Sequence, residues 1–229
     1  MADKNKYYYE RQQFHPGDVE VSASKYNMII GAVLLYGFIV NAIMVRMIGT
    51  SFLETGIGGL IGGIVAYIIC CIVGARLIHG SDKPVVSFIG YNLYVIPLGV
   101  IISGAVSIYM KTSPGAVTRA FVLTAIITGV MMAVATFIPD TFLSMGKTLL
   151  VALLACIIVD VIAILLGHNL VVIDYAVTFI FSLFVGYDWA RANACVKTVD
   201  NAIDSAAELY IDIINLFLRI LSIMGRSND

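Results

Sequence analysis

Asn201–Gly225 reads NAIDSAAELYIDIINLFLRILSIMG, and its periodicity decides what kind of protein this is. Projected as a helix at about 100° per residue, Asn201, Asp204, Glu208, Asp212, Asn215, Arg219, Ser222 and Arg226 fall on one narrow stripe. The steps between them are 3, 4, 4, 3, 4, 3 and 4, in phase with about 3.6 residues per turn. From Leu209 onward the rest of the circumference is apolar, through Ile213, Ile214, Leu216, Phe217, Ile220 and Leu221. A helix this apolar with a single polar seam suits a membrane. The seam has to face protein or water, because an ionised Asp or Arg facing lipid at mid-bilayer costs roughly 2.5–3.5 kcal/mol. An amphipathic helix lying on the membrane surface is the competing geometry, but it needs a broader polar arc than this stripe supplies.

Composition sets the frame around that helix. The 229 residues are 60% hydrophobic and 13% charged, with a formal net charge of −1, and their mean hydropathy is +0.94. Such a chain belongs with polytopic membrane proteins. It carries no basic field for nucleic acid. Cys70, Cys71, Cys156 and Cys195 lack zinc-site spacing and read as thiols in apolar surroundings. Residues 1–25 form a polar, Tyr-rich tail that includes Tyr7, Tyr8 and Tyr9, without the short apolar core of a cleavable signal peptide. Residues 26–226 then form one transmembrane domain.

Hydropathy divides that domain into seven spans of roughly 20 residues. They are Asn27–Met47, Gly56–Ile78, Val85–Tyr109, Ala116–Ile138, Leu143–Leu166, Leu170–Ala190 and Asn201–Gly225. Asn41 inside the first span predicts a helix–helix hydrogen bond. Gly58, Gly59, Gly62 and Gly63 in the second predict a close helix approach. Pro97 and Gly99 predict a break and kink in the third. Thr118, Thr124 and Thr128 in the fourth predict hydroxyls bonded back to their own helix. The Gly167–Asn169 connection is so short that spans five and six must be antiparallel neighbours. Arg76 and His79, at the end of span two, read as interfacial. With the N-terminus inside, nine of the 14 Lys and Arg residues fall on inner segments and five on outer ones, which favours a cytoplasmic N-terminus.

Acidic residues inside spans are candidates for chemistry. Asp188 and Asp212 are 24 residues apart, centred on Asp200. If spans six and seven turn near Val199–Asn201, each aspartate stands about 18 Å along its own helix, at one depth. Two carboxylates sharing a low-dielectric site do not readily both ionise, so such a pair can hold a proton near neutral pH. Singly protonated, it can latch two helices. Fully ionised, it repels and offers hard oxygen ligands to Ca²⁺. A pH-gated cation path and a purely structural polar pair both fit this pattern. Glu208, one turn from Asp212, widens the acidic cluster. Asp160 and Asp174 are weaker candidates, able to bond neighbouring hydroxyls.

Gly186-Tyr187-Asp188, followed by Leu209-Tyr210-Ile211-Asp212-Ile213-Ile214-Asn215-Leu216-Phe217, resembles the closing signature of the Bax inhibitor (TMBIM) family, in a bacterial form. The resemblance implies an all-α fold of seven transmembrane helices with the last one central. It implies a pH-sensitive Ca²⁺ leak in which Asp188 and Asp212 are sensor and gate, and in which Arg76 matches an arginine partnering the pair. Glu208, Asn215 and Arg219 are further tuning partners on the same seam. The family's glutamate in span two has no counterpart, since Gly62–Ala66 is wholly apolar. The expected setting is a bacterial plasma membrane. The bilayer, Ca²⁺ and protons are the partners and Ca²⁺ the permeant ion, with no other cofactor; a monomer satisfies this reading.

Enzymatic readings rank below this one. Tyr187-Asp188 resembles half of a presenilin-type aspartyl intramembrane protease, but the Gly-x-Gly-Asp half is absent at Asp212. There is no Gly-x-Ser-x-Gly elbow for a serine enzyme. A proton-coupled transporter is the nearer alternative, although no internal repeat is visible. A non-conducting membrane regulator is the third.

Overall fold

The computed structural model describes residues 11, 13–14, 17–51, 56–167 and 170–226. Tyr7–Tyr9 and the His168–Asn169 part of the short connection lie outside these. Among the described residues the chain forms seven helices: α1 (Ala23–Ile48), α2 (Gly56–His79), α3 (Pro84–Thr112), α4 (Pro114–Phe137), α5 (Pro139–Leu165), α6 (Val171–Ala194) and α7 (Val199–Arg226). The one β feature among them is an antiparallel bridge between Glu20 and Thr198. Six helices, α1 to α6, are long and apolar enough to cross a membrane. Seven helices therefore stand where seven spans were expected, and the chain is a multi-pass membrane protein.

Proline sets several helix starts. Pro84, Pro114 and Pro139 each open a helix, where the missing N–H is not needed and φ is already helical. α5 consequently begins at Pro139, four residues before the apolar run at Leu143. Ser22 caps α1, its side chain accepting from the Lys25 N–H at 3.3 Å. α3 corrects the expected break, since it runs as one helix with Pro97 inside it. Proline removes one backbone bond, and a membrane helix retains the others because the bilayer offers no substitute partner. Of the threonines, Thr124 bonds back to the Ala120 carbonyl at 2.7 Å. The buried Thr128 hydroxyl, against expectation, has no hydrogen-bond partner among the described residues.

Two compact units organise the chain. One holds the described residues up to Ile108 together with Ala192–Tyr210, and the other holds Tyr109–Arg191 with the described residues from Ile211 onward. Each contains one half of α7. No residue of α7 is exposed, which rules out a helix lying on a surface and makes it the inner element of both units. The other helices turn apolar side chains outward, such as Ile61, Ile64 and Ile68 on α2 and Val151, Leu154 and Ile158 on α5. In water such faces would aggregate; in lipid they are the natural exterior.

In the first unit α2 and α3 meet at Gly74 and Gly90. A Cβ on Gly74 would come within 2.9 Å of the Gly90 carbonyl oxygen, and one on Gly90 within 2.9 Å of the Gly74 oxygen. Gly58 and Gly62, expected to provide the approach, have nothing within 4 Å of a built Cβ. Small residues permit close approach without requiring it, and the partner helix lies nearer the other end of α2.

Candidate functional site

α7 carries its ionisable groups in two sets. In the first unit it presents Asp200, Asp204 and Glu208; in the second, Asp212, Arg219 and Arg226.

The first set is met by a residue from the chain's beginning. Arg11 is 5% exposed. Its guanidinium donates to Asn201 Oδ1 at 3.0 Å, to the Asn201 carbonyl at 2.8 Å, to Ser205 Oγ at 2.7 Å and to Glu208 Oε2 at 3.3 Å. Tyr26 of α1 adds its hydroxyl to the same turn, 3.0 Å from Ser205 Oγ and 3.2 Å from the Asn201 carbonyl. The approach of the chain is fixed by backbone bonds. Val196 N–H donates to the Arg11 carbonyl at 3.0 Å, Val21 N–H to Lys197 at 2.8 Å and Val199 N–H to Val19 at 3.2 Å. Asp200 accepts from Ser87 Oγ of α3 at 2.8 Å. Two residues beyond Glu208, Tyr210 is fully buried and its hydroxyl is bonded to Asn41 of α1, the interhelical bond that Asn41 predicted. The side chain of Lys197, in the α6–α7 connector, bonds the Ala192 and Asn193 carbonyls. Burial lowers the pKa of its ammonium.

The second set is answered from within the bundle. Asp174, in the first turn of α6, is 5% exposed. It accepts from Arg219 at 2.7 Å and from Arg226. Arg219 also reaches Asp160 of α5 at 3.5 Å. Arg226 folds back to bond the Ser222 hydroxyl at 2.9 Å. The start of α6 is thereby clasped to the end of α7, the antiparallel arrangement expected of a hairpin.

Asp188 and Asp212 both lie in this second unit and both are buried, at 7% and 8% exposure. The Gly186-Tyr187-Asp188 motif has a packing reason. A Cβ on Gly186 would strike the Phe142 ring, and one on Gly146 would fall 2.7 Å from the Tyr187 ring, so α5 and α6 touch directly beside Asp188. Trp189 donates to Thr136 of α4 at 2.9 Å, and Ala190 packs with Ala135 and Phe142. The helix carrying Asp188 is thus pinned on both sides of the carboxylate.

The turn between α6 and α7 is at Cys195–Thr198, earlier than the expected Val199–Asn201. The cause is the Val19–Val21 segment, which pairs with Lys197 and Val199 and holds the connector extended. Asp174 and Arg226 stand 26 residues before and after Asp200, and Asp188 and Asp212 stand 12 before and after it. Asp174 also meets Arg219, 19 residues after Asp200, so the clasp joins the start of α6 to the last two turns of α7.

Of the other residues singled out, Asn215 donates to the Ile211 carbonyl of its own helix at 2.8 Å. Arg76 is exposed in the last turn of α2. Glu208 and Arg219 are engaged by Arg11 and by Asp174 with Asp160, respectively. No group of three or more His, Cys, Asp or Glu side chains placed to hold a metal ion occurs among the described residues. Sequence reading overlooked Arg11 and undervalued Asp174. The signal for Asp174 was available: two arginines on the buried seam of α7 require a carboxylate at their level, and Asp174 has the matching spacing.

The sequence model of the family described as "Inhibitor of apoptosis-promoting Bax1" matches residues 20–229. The chain belongs to the Bax inhibitor family. Two proteins of Helicobacter pylori, from strains J99 and 26695 and each named only as uncharacterised, are 32% identical to it over 161 residues, covering 67% of this chain and 67% of each relative. These bacterial relatives agree with the bacterial form that its closing signature resembled. For a Bax inhibitor family protein, the match covers α1 to α7 without interruption.

Proposed function

We propose that this Bax inhibitor family protein is a pH-sensitive leak pathway for Ca²⁺, with Asp188 and Asp212 as sensor and gate. The observation that carries the reading is the burial of both carboxylates in one compact unit, on two successive helices whose ends are clasped together. Buried carboxylates in one low-dielectric region cannot both ionise cheaply. Sharing a proton holds α6 to α7; losing it adds repulsion between the helices and exposes hard oxygen ligands suited to Ca²⁺. A pair of carboxylates favours weak, transient binding, which conduction requires. The protein acts as a conduit and not as an enzyme. We place it in the bacterial plasma membrane with its N-terminus cytoplasmic, on the nine-to-five distribution of Lys and Arg.

The test is Ca²⁺ flux into dye-loaded proteoliposomes between about pH 6 and 8, a range bracketing a proton-sharing carboxylate pair, for wild type and Asp212→Asn. Flux that varies with pH in wild type and loses that dependence in the variant is the expected result. Flux no greater than in empty liposomes at every pH overturns the leak and returns the choice to a transporter or a non-conducting regulator. Flux whose pH dependence survives the substitution moves the sensor to another residue.

A further inference from the structure

We propose that the cleft between α2 and α3 is a binding site for one acyl chain of a bilayer phospholipid, admitted sideways from the membrane. The two helices meet where both lack side chains. A Cβ on Gly74 would fall 2.9 Å from the Gly90 carbonyl oxygen, and one on Gly90 would fall 2.9 Å from that of Gly74. Seven residues back along α2 and seven forward along α3 stand Tyr67 and Pro97, and four further on stand Gly63 and Ile101. These four, with Ala66 and Cys70, line a cavity of about 280 Å³. The helices therefore part within about 16 Å of their contact, at 1.5 Å of rise per residue, and leave a wedge between them.

The chemistry of the wedge selects hydrocarbon. Its lining carries no charge, and the Tyr67 hydroxyl is bonded to Cys71 on its own helix. Pro97 contributes a ring and has no N–H to offer. A polar ligand would find few hydrogen bonds there to offset its desolvation. The walls continue into the bilayer-facing surface, since Ile64 and Ile101 both line the cavity and are 59% and 39% exposed. An occupant therefore enters from the lipid, and size decides which one. One turn of a helix about 10 Å across fills roughly 400 Å³, more than the cleft holds, which argues against a helix of a second copy. An apolar cavity of about 150 Å³ takes a benzene-sized hydrocarbon; this one takes a longer piece, and an acyl chain is the hydrocarbon that the bilayer supplies. Lipid tails are as apolar as the walls, so the affinity comes from close packing against both helices at once. The site does not depend on the leak reading.

The test places tryptophan along α2 of the full chain, in nanodiscs whose phospholipid carries brominated acyl chains; bromine quenches indole fluorescence on contact. With Trp189→Phe removing the one native indole, Tyr67→Trp reports the cleft. Ile72→Trp, at a position 51% exposed, reports the open bilayer face. Tyr67→Trp should be quenched at least as strongly as Ile72→Trp, although position 67 is the less exposed of the two. Adding Ala66→Phe, which fills the cleft, should cut the quenching at position 67 several-fold and leave that at position 72 unchanged. Weak quenching at position 67, or quenching that Ala66→Phe does not alter, overturns the site. Weak quenching in nanodiscs that hold two copies gives the cleft to a second copy and overturns it equally. If Tyr67→Trp does not fold, the native sequence is photolabelled with a phospholipid bearing a diazirine at mid-chain. Adducts on residues 63–70 and 97–101 several-fold above those on the exposed α5 residues Val151, Leu154 and Ile158 support the site; parity overturns it.

Discussion

The two halves of α7 solve one problem with opposite signs. In its first half the helix supplies carboxylates, and the counter-charge is an arginine from outside the bundle. In its second half the helix supplies arginines, and the counter-charges are aspartates of α5 and α6. A buried charge must be paired wherever it sits, but the source of the partner decides what can change. Asp160 and Asp174 are built into helices packed against α7 and cannot leave without global unfolding. Arg11 rides on a segment outside the bundle, joined by backbone bonds to the α6–α7 connector and by its own guanidinium to α7. One half is paired from within the bundle and the other by the segment that precedes α1.

The strongest way to break this contrast is Asp174→Ala. It leaves Arg219 with the longer contact to Asp160 and takes the Asp174 carboxylate from Arg226. Asp174 is buried but both arginines are 31% exposed, so losing these charge-assisted bonds should cost about 1.5–3 kcal/mol. Thermal unfolding in detergent should show a large drop in midpoint, and Asp174→Leu combined with Arg219→Met should recover part of it.

Glu208→Ala tests the other half and should cost less, about 1–2 kcal/mol, because the penalty cannot exceed the free energy of docking the segment that carries Arg11. Protease cleavage before Ala23 should accelerate while the unfolding midpoint moves little. Equal losses for Glu208→Ala and Asp174→Ala would erase the distinction between the two halves.

Packing supplies a smaller contrast within the first unit. Gly90→Ala places a methyl against the Gly74 carbonyl and Ile78, and overpacking of this kind costs about 1–3 kcal/mol. Gly62→Ala meets nothing within 4 Å and should stay within about 0.5 kcal/mol of wild type in the same assay.

Much of this was legible in advance because it is written locally. Long apolar runs between polar breaks give helices of membrane length, and the 3-and-4 spacing from Asn201 to Arg226 gives the seam. Asn41, a lone amide in an apolar span, had to find a partner, and found Tyr210. What was misread depended on neighbours. Gly58 and Gly62 looked like a contact surface, yet α3 approaches α2 at Gly74. Pro97 looked like a break, yet the helix continues past it. Arg11 looked like part of a polar tail.

The sequence by itself determined a membrane protein of seven helices whose last carries one buried polar stripe, because hydropathy and helical period are properties of consecutive residues. The tertiary structure decided which charge meets which. Arg11 and Asn201 are 190 positions apart in the chain, and Asp174 and Arg219 are 45 apart. Such pairings depend on how helices are rotated and where the connector turns, and no local pattern encodes either.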